Sequence, residues 1–189
     1  VASNRPEGVP LGVEAIEQLG DEDWQVTVTM KDDLRVQFFR VARGKPAQLA
    51  AVIDAPQRAL DAVLYPSPMA MTAQASPAPR PCAPEGGGVT IATERRKTQL
   101  RSALPATGGA LRPLTHGVLA LWSAPSRCEA RDQTLYGAVL RSDGSPVAPV
   151  TPLAQADDYA VSSTGDQVDL WVVHDRRVTW VRARCPVPR

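Results

Sequence analysis

Apolar and polar residues alternate along much of the chain, in paired short runs separated by polar turns. Successive side chains of a β-strand point to opposite faces of the sheet, so this period of two is the pattern of a half-buried strand. Four such pairs predict β-hairpins, formed by residues 24–30 with 34–41, 88–94 with 98–104, 117–122 with 134–140, and 167–173 with 177–183. The sequence therefore predicts an all-β fold of antiparallel hairpins.

Shorter apolar runs predict single strands between these hairpins, at residues 62–65, 69–73 and 159–163. Helical signals are confined to residues 13–19, which form a short run, and residues 47–53, which are apolar without a clear stripe. The 18 prolines remove backbone donors and fix φ, which leaves little room for long helices. We expect one or two helical turns at most.

The length of 189 residues predicts a single domain over residues 1–189, since domains commonly hold about 100–200 residues. Residues 75–88 are rich in Pro and Gly and have no periodicity, so they are the best candidate for an internal boundary. The net charge of +1 predicts no attraction to nucleic acid. No run approaches the roughly 20 apolar residues of a spanning helix, so no membrane-spanning segment is predicted.

Three cysteines, Cys82, Cys128 and Cys185, lie in polar or proline-flanked segments. They are too far apart in sequence for the close ligand pairs of a zinc site, so no metal is predicted. Cysteines in exposed-looking loops are typical of disulfides in an oxidising compartment, whereas unpaired thiols are usually buried. We predict a disulfide, preferably Cys128–Cys185, with Cys82–Cys128 and Cys82–Cys185 left open. The predicted localisation is periplasmic or extracellular, and the alternative is three inert thiols in a cytosolic protein.

The hairpins share a common plan: an apolar strand that often holds Trp, a polar turn, a second strand, and a turn with Gly-x-Pro or Gly-Gly. Residues 42–49 and residues 142–147 occupy the same place in that plan. Self-similar β-units of this size are typical of propellers and of stacked sheets. The chain is therefore interpreted as a set of hairpin repeats.

Residues 116–184 resemble the secreted bacterial β-propeller repeat proteins, through the segments LALW at 119–122, LYGAVL at 135–140, SDGSP at 142–146 and LWVVHD at 170–175. The resemblance implies a blade-built binding scaffold without a fixed active site. The predicted strands suffice for three or four blades of about four strands, and closed propellers use ~4–8 blades. The fold prediction is therefore propeller-like, completed by other sequence, with a β-sandwich or an irregular β-sheet as the alternative.

Motifs for catalysis or cofactor binding do not occur in the sequence. His116 and His174 are the only histidines, and we expect the adjacent side chains of His174 and Asp175 to point apart in a hairpin turn. The acidic clusters do not fit a calcium loop, and the glycines at 86–88 are not followed by the Gly-Lys-Ser/Thr of a phosphate loop. We predict no catalytic residue, no cofactor and no enzyme activity.

Loop residues are the candidate contacts with a partner: Pro81 and Pro84 in the proline-rich segment, and Arg127 and Arg131 beside Cys128. Long segments of this kind in compact domains are often functional. The leading hypothesis is a non-enzymatic interaction or scaffold module of an exported bacterial protein, which docks on other protein subunits of a larger assembly.

Trp122, Tyr136 and Trp171 lie at strand positions, where such residues are usually core anchors, and they are also the candidates for stacking on a glycan. A carbohydrate- or ligand-binding β-domain is therefore the alternative function. A hydrolase without a recognisable motif is the second alternative, since no Gly-x-Ser-x-Gly nucleophile is present.

Overall fold

The computed structural model describes residues 10–18, 21–30, 35–55, 59–64, 66–74, 87–127 and 132–185. These residues form fifteen strands and no helix, and so contain no segment that could cross a membrane as a helix. The strands make four sheets, in which every strand pairs antiparallel with its neighbour in the chain. The predicted all-β fold of antiparallel strands is confirmed.

Three of the sheets are four-stranded meanders. The first sheet holds β1 (Pro10–Gln18), β2 (Asp23–Met30), β3 (Arg35–Ala42) and β4 (Gln48–Asp54). The second holds β5 (Ala59–Val63), β6 (Met69–Ala73), β7 (Gly87–Thr93) and β8 (Lys97–Ser102). The third holds β9 (Gly108–Pro113), β10 (Gly117–Pro125), β11 (Gln133–Arg141) and β12 (Thr151–Gln155). The fourth sheet has three strands among the described residues: β13 (Asp158–Thr164), β14 (Gln167–His174) and β15 (Arg177–Arg184).

The four predicted hairpins are all present. They are β2 with β3, β7 with β8, β10 with β11, and β14 with β15. The single strands predicted at residues 62–65, 69–73 and 159–163 overlap β5, β6 and β13. Alternation in the sequence therefore located these strands correctly.

The two segments with weak helical signals are strands in the structure. Residues 13–18 belong to β1, which pairs with β2, and residues 48–53 belong to β4, which pairs with β3. In β4, Ala51 and Ile53 are buried whereas Asp54 is exposed, which is the period of two of a half-buried strand. Pairing and burial outweigh the local helix propensity of such short runs.

Two strands, β9 and β12, were not predicted at all. Gly108, Gly109 and Pro113 weaken the strand signal of β9, and Pro152 weakens that of β12, because Gly and Pro are depleted in strands. Both strands lie at edges of the third sheet, where a missing backbone donor is tolerated.

The sheets stack face to face in chain order, with a buried apolar cluster between each successive pair. Strand β10 illustrates the arrangement, because its two sets of alternate side chains enter different clusters. Val118 and Trp122 pack towards the second sheet, while Leu119 and Leu121 pack towards the fourth. The second and third sheets are thus each covered on both faces.

The first strands of successive sheets lie side by side, since β9 contacts both β5 and β13. The predicted internal boundary at 75–88 falls between β6 and β7, which pair with each other in the second sheet. Gly87 and Gly88 belong to β7, and residues 75–86 lie outside the described residues. The segment therefore connects two neighbouring strands of one sheet.

Candidate functional site

Large apolar side chains that remain exposed are concentrated away from the middle of the stack. The first sheet has two, Ile16 and Leu49, and the third sheet has one, Leu153. The fourth sheet has four: Trp171, Val178, Trp180 and Val181. None of them lies on the described strands of the second sheet. Clusters of exposed apolar side chains mark contact surfaces, so the fourth sheet is the candidate functional site.

Strand β15 is exposed along its whole length, at all eight residues. A two-residue turn joins it to β14, and Asp175 and Arg176 in that turn have φ values of 48° and 61°. Two left-handed residues define a type I′ hairpin, whose closing pair, here His174 with Arg177, is hydrogen-bonded. Hydrogen-bonded and non-hydrogen-bonded pairs alternate along an antiparallel ladder. The backbone N–H and C=O groups of the odd-numbered residues of β15 therefore bond to β14.

The even-numbered residues of β15 direct their backbone N–H and C=O groups away from β14. They are Val178, Trp180, Arg182 and Arg184. The N–H of Cys185 donates to the carbonyl oxygen of Asp166 at 2.8 Å, which continues the same alternation past the strand. Within the described part of the chain no strand pairs with this outer edge. An edge of this kind is a template for another strand.

A tryptophan pair lies on the outer face of the fourth sheet. Trp171 is directly opposite Trp180, and their exposed fractions are 37% and 54%. Asp169 is opposite Arg182 on the same face, and its Oδ1 accepts from Arg182 Nε at 2.7 Å and from the Trp180 indole N–H at 3.1 Å. The bond from Arg182 is the main reason why the pKa of Asp169 is lowered. The Arg182 guanidinium lies 5.0 Å from the centroid of the Trp180 ring.

The inner face of the fourth sheet forms one wall of an apolar groove. The groove has a volume of about 890 Å³ and lies between strands β10 to β12 and strands β14 to β15. Its lining is mainly aliphatic, and it includes Leu153 of β12 and Val181 of β15, which are both about half exposed. His174 lies at its margin. The groove can therefore accept apolar side chains, with few polar groups to satisfy.

One group of potential metal ligands, Asp157, His174 and Asp175, occurs among the described residues, with ligand atoms within 4.8 Å of one another. His174 Nδ1 is 3.7 Å from Asp157 Oδ1, and His174 Nε2 is 3.6 Å from Asp175 Oδ2. Each carboxylate thus lies beside a different ring nitrogen, so the two do not converge on one ligand atom of the imidazole. The expectation that His174 and Asp175 point apart is wrong, because the left-handed backbone of Asp175 turns its carboxylate back beside the ring.

A polar network joins the first strands of three sheets, and the sequence did not reveal it. Asp61 of β5 accepts hydrogen bonds at Oδ2 from the Leu111 N–H at 2.7 Å and from Arg112 Nη1 at 3.0 Å. Arg112 also donates from Nε to the carbonyl oxygen of Val161 in β13, at 3.0 Å. Asp61 and Arg112 are largely buried. The network holds β5, β9 and β13 together.

The fold separates Trp171 from the other two predicted glycan-stacking residues, Trp122 and Tyr136. Trp122 is fully buried, and its ring stacks on Tyr136 with centroids 5.8 Å apart and planes at 15°. Trp122 therefore has no ring face open to a ligand, and it is a core residue. Of the three, Trp171 is the one on the exposed face, where its neighbour is Trp180.

The predicted contact loops are mostly outside the described residues. Pro81, Cys82, Pro84, Cys128 and Arg131 all lie there, and Arg127 is exposed at the end of the described segment 87–127. The role of these residues as partner contacts stays a prediction.

Cys185 has a free thiol and is not in exposed surroundings, contrary to expectation. It packs against the apolar cluster between the third and fourth sheets and borders the groove. Burial, followed by the negative charge of Asp166, raises the pKa of this thiol. Both possible partners, Cys82 and Cys128, lie outside the described residues, so the predicted disulfide, with Cys128–Cys185 as the preferred pair, stays a prediction.

We expect Cys185 in the folded protein to react several-fold more slowly with iodoacetamide at neutral pH than the same cysteine in the urea-unfolded chain. The thiolate is the reacting form, and a raised pKa keeps it scarce until the pH rises, so the rate should climb steeply above neutrality. Mass spectrometry of the alkylated peptide measures both rates. Equal rates in the two states would contradict the burial, and a Cys185 that is inert even in urea would reveal the predicted disulfide.

The outer-face residues could have been found from the sequence alone. A two-residue turn at Asp175 and Arg176 fixes the register of the last hairpin, and that register places Trp171 opposite Trp180. The stepwise alternation then puts Asp169 and Arg182 on the same face.

Comparison of the chain with protein families, with curated proteins and with solved structures returns no match.

Proposed function

We propose that the chain is a non-enzymatic interaction module of an exported bacterial protein, and that it docks on other protein subunits of a larger assembly. The observation that carries this proposal is the cluster of exposed apolar side chains on the fourth sheet, with Trp171, Val178 and Trp180 at its centre. Monomeric proteins seldom expose aromatic and β-branched side chains side by side, and such patches are typical of binding surfaces.

A propeller-like arrangement is the architecture that we propose for this module. Each sheet is a meander, successive sheets pack face to face, and the first strands β5, β9 and β13 adjoin, as the inner strands of blades do around a central channel. In a β-sandwich each of the two sheets is covered on one face, by the other sheet. Here the second and third sheets are each covered on both faces. The outer face of the fourth sheet, where Trp171 and Trp180 are exposed, is then a surface that further sequence or another subunit would cover.

Site-specific photo-crosslinking tests the docking function. A photoreactive amino acid is placed at Trp180 on the exposed patch, or at Gln99, which is exposed on β8 of the second sheet, as the matched control. Both chains are produced at natural levels in the source bacterium and irradiated in intact cells. We expect discrete crosslinked products with a different protein from position 180 and none from position 99.

The proposal would be overturned by the absence of crosslinked products from both positions, or by an identical set of products from both. Mass spectrometry identifies the captured chains, and products that contain only a second copy of this chain would likewise contradict docking on other subunits. Export is assessed in the same cells from the compartment in which the chain fractionates, and a cytoplasmic location would contradict that part of the proposal.

Glycan binding is the second candidate, favoured by the pair of exposed tryptophans beside the fixed Asp169–Arg182 pair. Aromatic faces stack on sugar rings, and an oriented carboxylate and guanidinium bind hydroxyl groups. A glycan array would show binding by the natural chain that the Trp180→Ala variant loses, whereas an array without signal would remove this candidate.

A further inference from the structure

We infer that the open edge of β15 binds an extended partner strand that is apolar on one face and acidic on the other. This inference rests on the proposed docking function and names the site and the chemistry of the partner. It makes the partner segment the fourth strand of the fourth sheet, hydrogen-bonded to the backbone of β15. Strand addition of this kind derives its affinity from main-chain hydrogen bonds and its specificity from alternate side chains.

The edge itself is the first part of the argument. The other three sheets each hold four strands in the same meander order, while the fourth sheet holds three among the described residues. The backbone N–H and C=O groups of Val178, Trp180, Arg182 and Arg184 face outward from β15. β-Branched and aromatic residues favour strands, and β15 contains four of them although all eight of its residues are exposed.

The groove is the second part of the argument. A strand added to β15 would lie over the groove between the third and fourth sheets, opposite β12. Every second side chain of that strand would then enter the groove, where Leu153 and Val181 are now half exposed. Apolar side chains at alternate positions therefore suit this face of the partner.

The charge on β15 determines the other face of the partner and argues against a second copy of β15. Arg182 and Arg184 lie on the face of β15 that points away from the groove, and the strand has no acidic residue. A second β15 strand could pair with this edge only with even-numbered residues opposite even-numbered ones, which would bring Arg182 and Arg184 of both copies onto one face. Like charges directly opposite one another destabilise a strand pair, whereas glutamates on a different partner would attract these arginines.

The test uses a blocked nine-residue peptide in which leucine or valine alternates with glutamate. Its affinity is measured by calorimetry against the full chain and against two variants, Val178→Pro and Val178→Thr. Val178 is 66% exposed and its N–H faces the open edge, so proline there removes an edge donor without removing a hydrogen bond to β14. Threonine keeps the N–H and the β-branched shape, which makes it the matched control.

We expect the natural chain and the Val178→Thr variant to bind the peptide with similar affinity, and the Val178→Pro variant to bind at least ten-fold more weakly. A peptide with lysine in place of glutamate should also bind at least ten-fold more weakly. Circular dichroism of the proline variant verifies that it keeps its strands. If it does not, the same comparison is made by replacing the peptide amide opposite β15 with an N-methyl amide in the ligand.

The inference is overturned if the natural chain does not bind the alternating peptide, if the proline and threonine variants bind it equally, or if the lysine peptide binds as well as the glutamate peptide. These results leave the proposed docking function standing when position 180 still yields crosslinks to another protein, because that contact would then use the tryptophan face and not the edge. Loss of the crosslinks together with retained peptide binding would instead contradict the proposed function alone.

Discussion

Replacing Trp122 by alanine is expected to lower the free energy of unfolding by about 3–5 kcal/mol, the usual cost of truncating a large aromatic side chain in a packed core. Trp122 lies in β10, is fully buried between the second and third sheets, and stacks on Tyr136. Its indole N–H donates to Ser102 Oγ at 3.2 Å, so the truncation also leaves that hydroxyl without this donor. Neighbouring strands cannot collapse into the space without losing their ladder hydrogen bonds.

Urea unfolding followed by far-ultraviolet circular dichroism measures this change, because tryptophan fluorescence would itself be altered by the substitution. The matched control is Trp180→Ala, which removes the same side chain from an exposed position on β15. We expect that variant to lose no more than about 1 kcal/mol, as substitutions at exposed sites usually do. Similar losses for the two variants would contradict the burial of Trp122.

The Asp61→Ala substitution is expected to cost about 2–4 kcal/mol, because it leaves buried donors without their acceptor. The Asp61 carboxylate accepts from the Leu111 N–H, from Arg112 and from the Ala62 N–H, the last at 2.8 Å. Arg112 would keep its hydrogen bonds to the carbonyl oxygens of Val161 and Leu111 but would lose its ion pair with Asp61. The network joins three sheets, so its loss should also loosen the contact of β9 with β5.

Two further variants separate this effect from the loss of a charge in general. Asp61→Asn keeps one carbonyl acceptor and should cost less than Asp61→Ala. Glu22→Ala removes a carboxylate whose ion pair with Arg43, at 3.5 Å, is exposed, and it should change the stability by less than about 1 kcal/mol. Urea unfolding of all three gives the ranking, and an Asp61→Ala variant no less stable than Glu22→Ala would rule out the network as a structural link.

Local pattern predicted the strands that pair through short turns. The hairpin of β14 and β15 is an example, since the apolar and polar alternation on both sides of Asp175 and Arg176 fixes strands, turn and register together. Its exposed Trp171–Trp180 pair follows from that register. The strands that the sequence did not reveal, β1, β4, β9 and β12, are outer strands of their sheets, where weak or misleading local patterns are stabilised by a neighbour that is already in place.

The sequence by itself determined that the chain is all-β and which residues form its four hairpins, because alternation and turn chemistry act over a few neighbouring residues. Only the tertiary structure decided which faces are covered. Trp122 and Trp171 have the same strand pattern, yet one is buried between two sheets and the other is exposed on the last one. Likewise, Asp61 forms an ion pair with Arg112, and Cys185 packs against the core, because residues of different sheets come into contact. No local pattern in the sequence indicates which sheet will pack against a given face.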